Sequence, residues 1–65
     1  MKKRRCYMAG SDIDRAQTIA MSVPTNPFFQ VVHGKELTSM VIMSEESLAA
    51  VKNAKISVFD QGPAD

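Results

Sequence analysis

Cysteine occurs once in this chain, tryptophan not at all, and tyrosine and histidine once each. A lone cysteine, Cys6, excludes an internal disulfide, and with His33 as the only histidine it argues against a metal centre of the Cys/His type. No apolar run approaches the roughly 18 residues that would cross a bilayer. The start is basic but runs into Cys6, Gly10, Ser11, Asp12 and Asp14, not into the apolar stretch of a secretory leader. These absences predict a cytoplasmic protein with a free, reduced thiol. They imply no cofactor, metal, membrane or small-molecule substrate.

What is present is one small domain. A chain of 65 residues buries only about 60% of the surface that its unfolded form exposes. With no disulfide or metal available, further burial must come from another protein or a second copy. The 45% apolar fraction is that of a globular chain. Lys2, Lys3, Arg4 and Arg5 hold half of the eight basic residues, which leaves four basic against seven acidic residues, net −3, in the rest. The expected partition is a flexible basic arm over residues 1–4, a single α/β domain over residues 5–60, and a flexible tail over residues 61–65.

The stretch from Ser39 to Phe59 reads as strand, capped helix, strand. Residues 39–43 are an apolar β run, Ser44 offers a cap with Glu45 and Glu46 in the first turn, and residues 56–59 form a second β run. The upstream half has the same grammar. Residues 5–9 alternate as a strand, Ser11 is the expected cap, and Ile13, Ala16, Ile19, Ala20 and Val23 mark one stripe of a helix over residues 12–23. Pro24 and Pro27 end that helix. Residues 28–33 follow as a strand that is apolar on both faces, and Gly34-Lys35 suits a two-residue hairpin turn into residues 37–43. The second helix, residues 45–53, has Asn53 as its expected left-handed end. Ile13, Ile19, Leu48, Val51, Ile56 and Val58 are the expected core, and the methionines other than Met1 read as fillers within strands and the first helix.

The order β-α-β-β-α-β predicts an α+β fold, a small ferredoxin-like (split βαβ) two-layer sandwich. Right-handed crossovers put both helices on one face of an antiparallel sheet and leave the other face open. A rival reading drops the last strand and gives βαββα. There an apolar hairpin run followed by Ser and a Glu-rich helix, Val41 to Leu48, resembles the Phd/YefM antitoxin domain over about residues 27–51. The resemblance implies a DNA-binding protein with a toxin-binding tail, although the Thr-Arg before the hairpin glycine and the tail itself have no counterpart here.

No catalytic constellation emerges. Gly10-Ser11 between strand and helix resembles a phosphate cradle, but Asp12 and Asp14 would repel an anion, so a plain cap is the better reading. His33 sits at a strand end without an orienting partner. Cys6 has Arg4 and Arg5 nearby to stabilise a thiolate, yet its alternation with Met8 marks a core position. The expectation is a non-enzymatic protein-binding regulatory module, of inhibitor or adaptor type, working as a homodimer through an exposed sheet face or edge. Tyr7, Phe28, Phe29, Gln30 and Val32 are its candidate contacts. The alternative is a nucleic-acid-binding regulator using Lys2, Lys3, Arg4 and Arg5, with Tyr7 available for stacking. The third strand lacks aromatic residues, which weighs against the common RNA-binding module.

Overall fold

Two periodicities divide the chain into strands that alternate and helices that bury one stripe. The computed structural model describes residues 1–34 and 37–64. Its elements are β1 (Lys3–Ala9), α1 (Ile13–Ala20), β2 (Phe29–Gly34), β3 (Thr38–Ser44), α2 (Glu45–Asn53) and β4 (Val58–Pro63). The strands form one sheet in the order β2-β3-β1-β4, antiparallel at every junction. The βαββα alternative is thereby overturned, because β4 pairs with β1 along its length. No helix among the described residues is long and apolar enough to cross a membrane.

The core lies on one side of the sheet. Cys6 and Met8 of β1 and Val41 and Met43 of β3 meet Ala16 and Ala20 of α1, Leu48 and Val51 of α2, and Ile56. Ile13, Ile19 and Val58, expected at the centre, are only partly buried against this cluster. The stripe that faces the sheet is the alanine pair, whose small side chains let α1 approach closely and push the isoleucines to its flanks.

Several boundaries differ from the sequence reading. Ser11 does not cap α1 but lies inside a 3-10 turn, Gly10–Asp12, and no side chain caps either segment. The helix stops at Ala20, not Val23, because its last turn tightens: the Ser22 amide donates to the Ile19 carbonyl at 3.1 Å and the Ser22 hydroxyl to the Thr18 carbonyl at 2.6 Å. The left-handed residue after α2 is Lys55, with φ of 64°, not Asn53. Its amide donates to the Lys52 carbonyl and that of Ile56 to the Val51 carbonyl. This is the Schellman pattern with lysine where glycine is usual, and it delivers Ile56 into the core.

Gly34 pairs with Ser39 inside the ladder and so is not a central turn residue; Lys35, the other half of the expected turn, lies outside the described residues. Leu37 precedes β3 and is 82% exposed. The sheet also reaches further at both ends than residues 5–59. β1 begins at Lys3, β4 runs to Pro63, and the Ala64 amide donates to the Lys3 carbonyl at 3.0 Å. Lys3 and Arg4 are therefore strand residues. The pairing that holds them there involves backbone atoms, to which side-chain periodicity is blind.

The second helix is as expected at both bounds, and its cap is the hub of the packing. The Ser44 hydroxyl accepts from the Ser47 amide at 3.1 Å. The Ser47 hydroxyl donates to the Ala20 carbonyl at 2.7 Å and accepts from the Phe28 amide at 3.1 Å. Both serines are fully buried. One hydroxyl thus satisfies the carbonyl that α1 leaves unpaired at its end and the amide that leads into β2. Ser47→Ala is expected to destabilise the fold by about 1–3 kcal/mol for each backbone group left unpaired, as read by urea unfolding.

Candidate functional site

Two helices cover one face of this sheet, and the register defines the other. On β1 the residues alternating with Cys6 and Met8 are Lys3, Arg5, Tyr7 and Ala9. Across the strands they form rows: Phe59 opposite Tyr7 opposite Met40 opposite His33, then Gly62 opposite Arg5 opposite Ile42 opposite Gln30. The Tyr7 and Phe59 rings are tilted by 39° with centroids 6.5 Å apart, within the range of a favourable aromatic pair. Phe59 is 64% exposed, while Tyr7, Met40 and Ile42 are half-buried. An open hollow of about 300 Å³ lies beside the pair, lined also by Asp12, Leu37, Thr38 and Ser57.

A further row closes the face at the other end. The Lys3 ammonium sits 4.3 Å from the centroid of the Phe28 ring, a cation–π contact. Phe28 just precedes β2, and its carbonyl accepts from the Ser44 amide at 3.3 Å. Phe29 points the other way and packs against the core. Gln30 and Val32 are exposed. Val32 is the extra residue of a bulge, since the register slips between Val31 and His33. The candidate contacts therefore divide: Tyr7, Phe28 and Gln30 share the open face, Phe29 belongs to the core, and Val32 lies on the edge strand.

The basic residues divide too. Lys2 and Arg5 are exposed, and Arg5 lies on the open face. Arg4 is turned to the helical side, where Nε and Nη2 donate to the two Asp60 carboxylate oxygens at 3.2 and 2.9 Å. The Gly62 amide adds a third donor to Asp60 at 3.0 Å. β4 is irregular here, with Gly62 at φ of 117°, a backbone that a side chain would strain. The Arg4 hydrogen bond holds the Asp60 carboxyl below the usual aspartate range, and the same contact raises Arg4. Residues that the sequence reading missed are Phe59, Met40 and Ile42. Their signal was present in the alternation with Val58 and with Val41.

Cys6 is fully buried, and burial pushes its thiol up to about 11. Burial, with Asp60 nearby, outweighs Lys52 and Arg4, which favour the thiolate, and this opposes the nucleophile reading. Among the described residues no group of three or more His, Cys, Asp or Glu side chains is placed to hold a metal ion.

Two outcomes follow. Cys6 should resist a maleimide in the native state and react on unfolding in urea; rapid native labelling would place the thiol outside the core. Asp60, depressed in the folded state, contributes stability that is present above its unfolded value of about 3.9 and is lost as pH falls through the lower folded value. Asp60→Asn should therefore be less stable than wild type at neutral pH, and the two should converge in acid, as read by thermal unfolding across pH. Compared with family models, curated proteins and solved structures, the chain matches none.

Proposed function

We propose that this chain is a small non-enzymatic protein-binding module of inhibitor or adaptor type, acting as a homodimer paired through β2. The observation that carries the reading is the state of that strand. β2 is at a sheet edge, and beyond Phe29 every residue in it is exposed, with Val31 and Val32 each at 46%. An edge strand presents unpaired backbone groups to another chain, and native proteins usually blunt it with charge, proline or irregularity. β4, the opposite edge, carries Asp60, the Gly62 bulge and Pro63. β2 carries neither proline nor carboxylate, and its bulge lies toward the hairpin end, leaving residues 29–31 regular.

The sheet plan is read as the ferredoxin-like split βαβ. Supporting it, β3 separates β1 from β2, β1 separates β3 from β4, all neighbours are antiparallel, and the buried residues of α1 and α2 share one core. A cytoplasmic site accords with the unpaired thiol of Cys6. The non-enzymatic reading accords with the structural use of Cys6, Ser44 and Ser47, all fully buried.

Sedimentation equilibrium tests the pairing. Wild type should show a concentration-dependent dimer, and the double variant Val31→Lys, Val32→Lys should be monomeric with an unchanged circular dichroism spectrum. A wild type that stays monomeric at every concentration overturns the homodimer. Phe29→Glu, by contrast, should unfold the chain, because Phe29 packs on the core.

A further inference from the structure

We propose that the open sheet face, a surface distinct from the β2 edge, binds single-stranded nucleic acid, with bases stacked on Tyr7 and Phe59 and phosphates held by Arg5 and Lys3. The occupant is argued from charge. Across the described residues of all four strands the only carboxylate is Asp60, and it is turned to the helical side and held there by Arg4. Asp14, Glu45 and Glu46 lie on the helices. Among the described residues the strands thus turn cations and rings, and no carboxylate, to this face. From outside the strands, Asp12 lines the Tyr7–Phe59 hollow and Glu45 stands near Lys2 and Lys3, so a phosphate is placed beside Arg5, between these two carboxylates.

A second copy laid face to face would bring Arg5 and Lys3 against strands whose described residues turn no carboxylate toward them. A single strand supplies what is missing. Its phosphates neutralise the cations, and its bases have apolar faces that match an exposed ring pair. Residues two apart on a strand are about 6.8 Å apart, and neighbouring strands about 4.8 Å apart. Arg5 thus stands one side-chain step from the Tyr7–Phe59 pair, and Lys3 one step further. A duplex cannot use the rings, because its bases are already stacked.

Tyr7 is the only tyrosine and tryptophan is absent, so intrinsic emission reports on the stacking residue itself. The test is an anisotropy titration with labelled oligothymidylate and oligouridylate, a duplex of equal length, and polyglutamate, with Tyr7 emission followed in parallel. Both single strands should bind and quench Tyr7, and the duplex should bind more weakly. Affinity should fall roughly 7- to 18-fold between about 50 and about 200 mM salt if two or three phosphates are neutralised. Phe59→Ala, at an exposed position, should weaken binding roughly 5- to 150-fold. Arg5→Gln should lower the affinity and flatten the salt slope by about 0.7. Lys55→Gln, away from the face, should change neither. The proposal is overturned if no single strand binds at the lower salt, if Phe59→Ala leaves the affinity unmoved, or if polyglutamate binds as tightly, which would make the occupant an acidic polypeptide.

Discussion

The Ser47 hydroxyl is where the two halves of this chain are joined. It accepts a hydrogen bond from the Phe28 amide and donates one to the Ala20 carbonyl, while the Ser47 amide donates to the Ser44 hydroxyl. A buried polar group without a partner is costly, and this site completes three at once. Its geometry also sets direction. With the end of α1 and the entry to β2 fixed at the first turn of α2, both helices are held against the same side of the sheet. Everything on the far side is consequently left to solvent or to a partner.

That asymmetry is electrostatic as well as steric. The acidic side chains described lie mostly on the helices and the turn before α1, and the one strand carboxylate is taken by Arg4. The net −3 of the chain beyond residue 5 is therefore a poor guide to what the sheet face attracts. Net charge describes solubility and long-range steering, whereas recognition depends on which layer bears each sign. On this face Arg5 lies in a row with Ile42 and Gln30, and the Lys3 ammonium lies over the Phe28 ring with Glu45 nearby.

Much of the fold was legible in the sequence because it follows from side-chain periodicity and capping. The Ser44 cap, both bounds of α2 and the alternation of Cys6 with Met8 are of this kind. What was not legible depends on backbone pairing or on a distant partner. Nothing local to Lys3 and Arg4 distinguishes a frayed terminus from a strand; the distinction lies in Asp60, 56 residues away from Arg4, and in the β4 backbone. Ser47 reads as an ordinary first-turn serine until Ala20 and Phe28 are brought beside it. Lys55 in the left-handed region has no signal in composition, since glycine or asparagine is the usual choice there. For the surface, Tyr7 was found from its own strand, but Phe59 became its neighbour only through the β1–β4 register.

The edge and the face are linked by symmetry. An antiparallel contact between β2 and its copy requires a twofold axis perpendicular to the sheet, because an in-plane axis along the strands would make them parallel and turn one face over. The perpendicular axis keeps both helical layers on one side. It therefore sets the two open faces side by side in one continuous sheet, with each Tyr7–Phe59 pair at the far end from the shared edge, since β4 and β1 lie farthest from β2. A strand crossing such a surface would meet rings, then the Met40–His33 region of each copy, then rings again. Edge pairing would thus lengthen the path available to a ligand and raise avidity by linking two weak sites, while a single copy would offer one ring pair with its own Arg5 and Lys3.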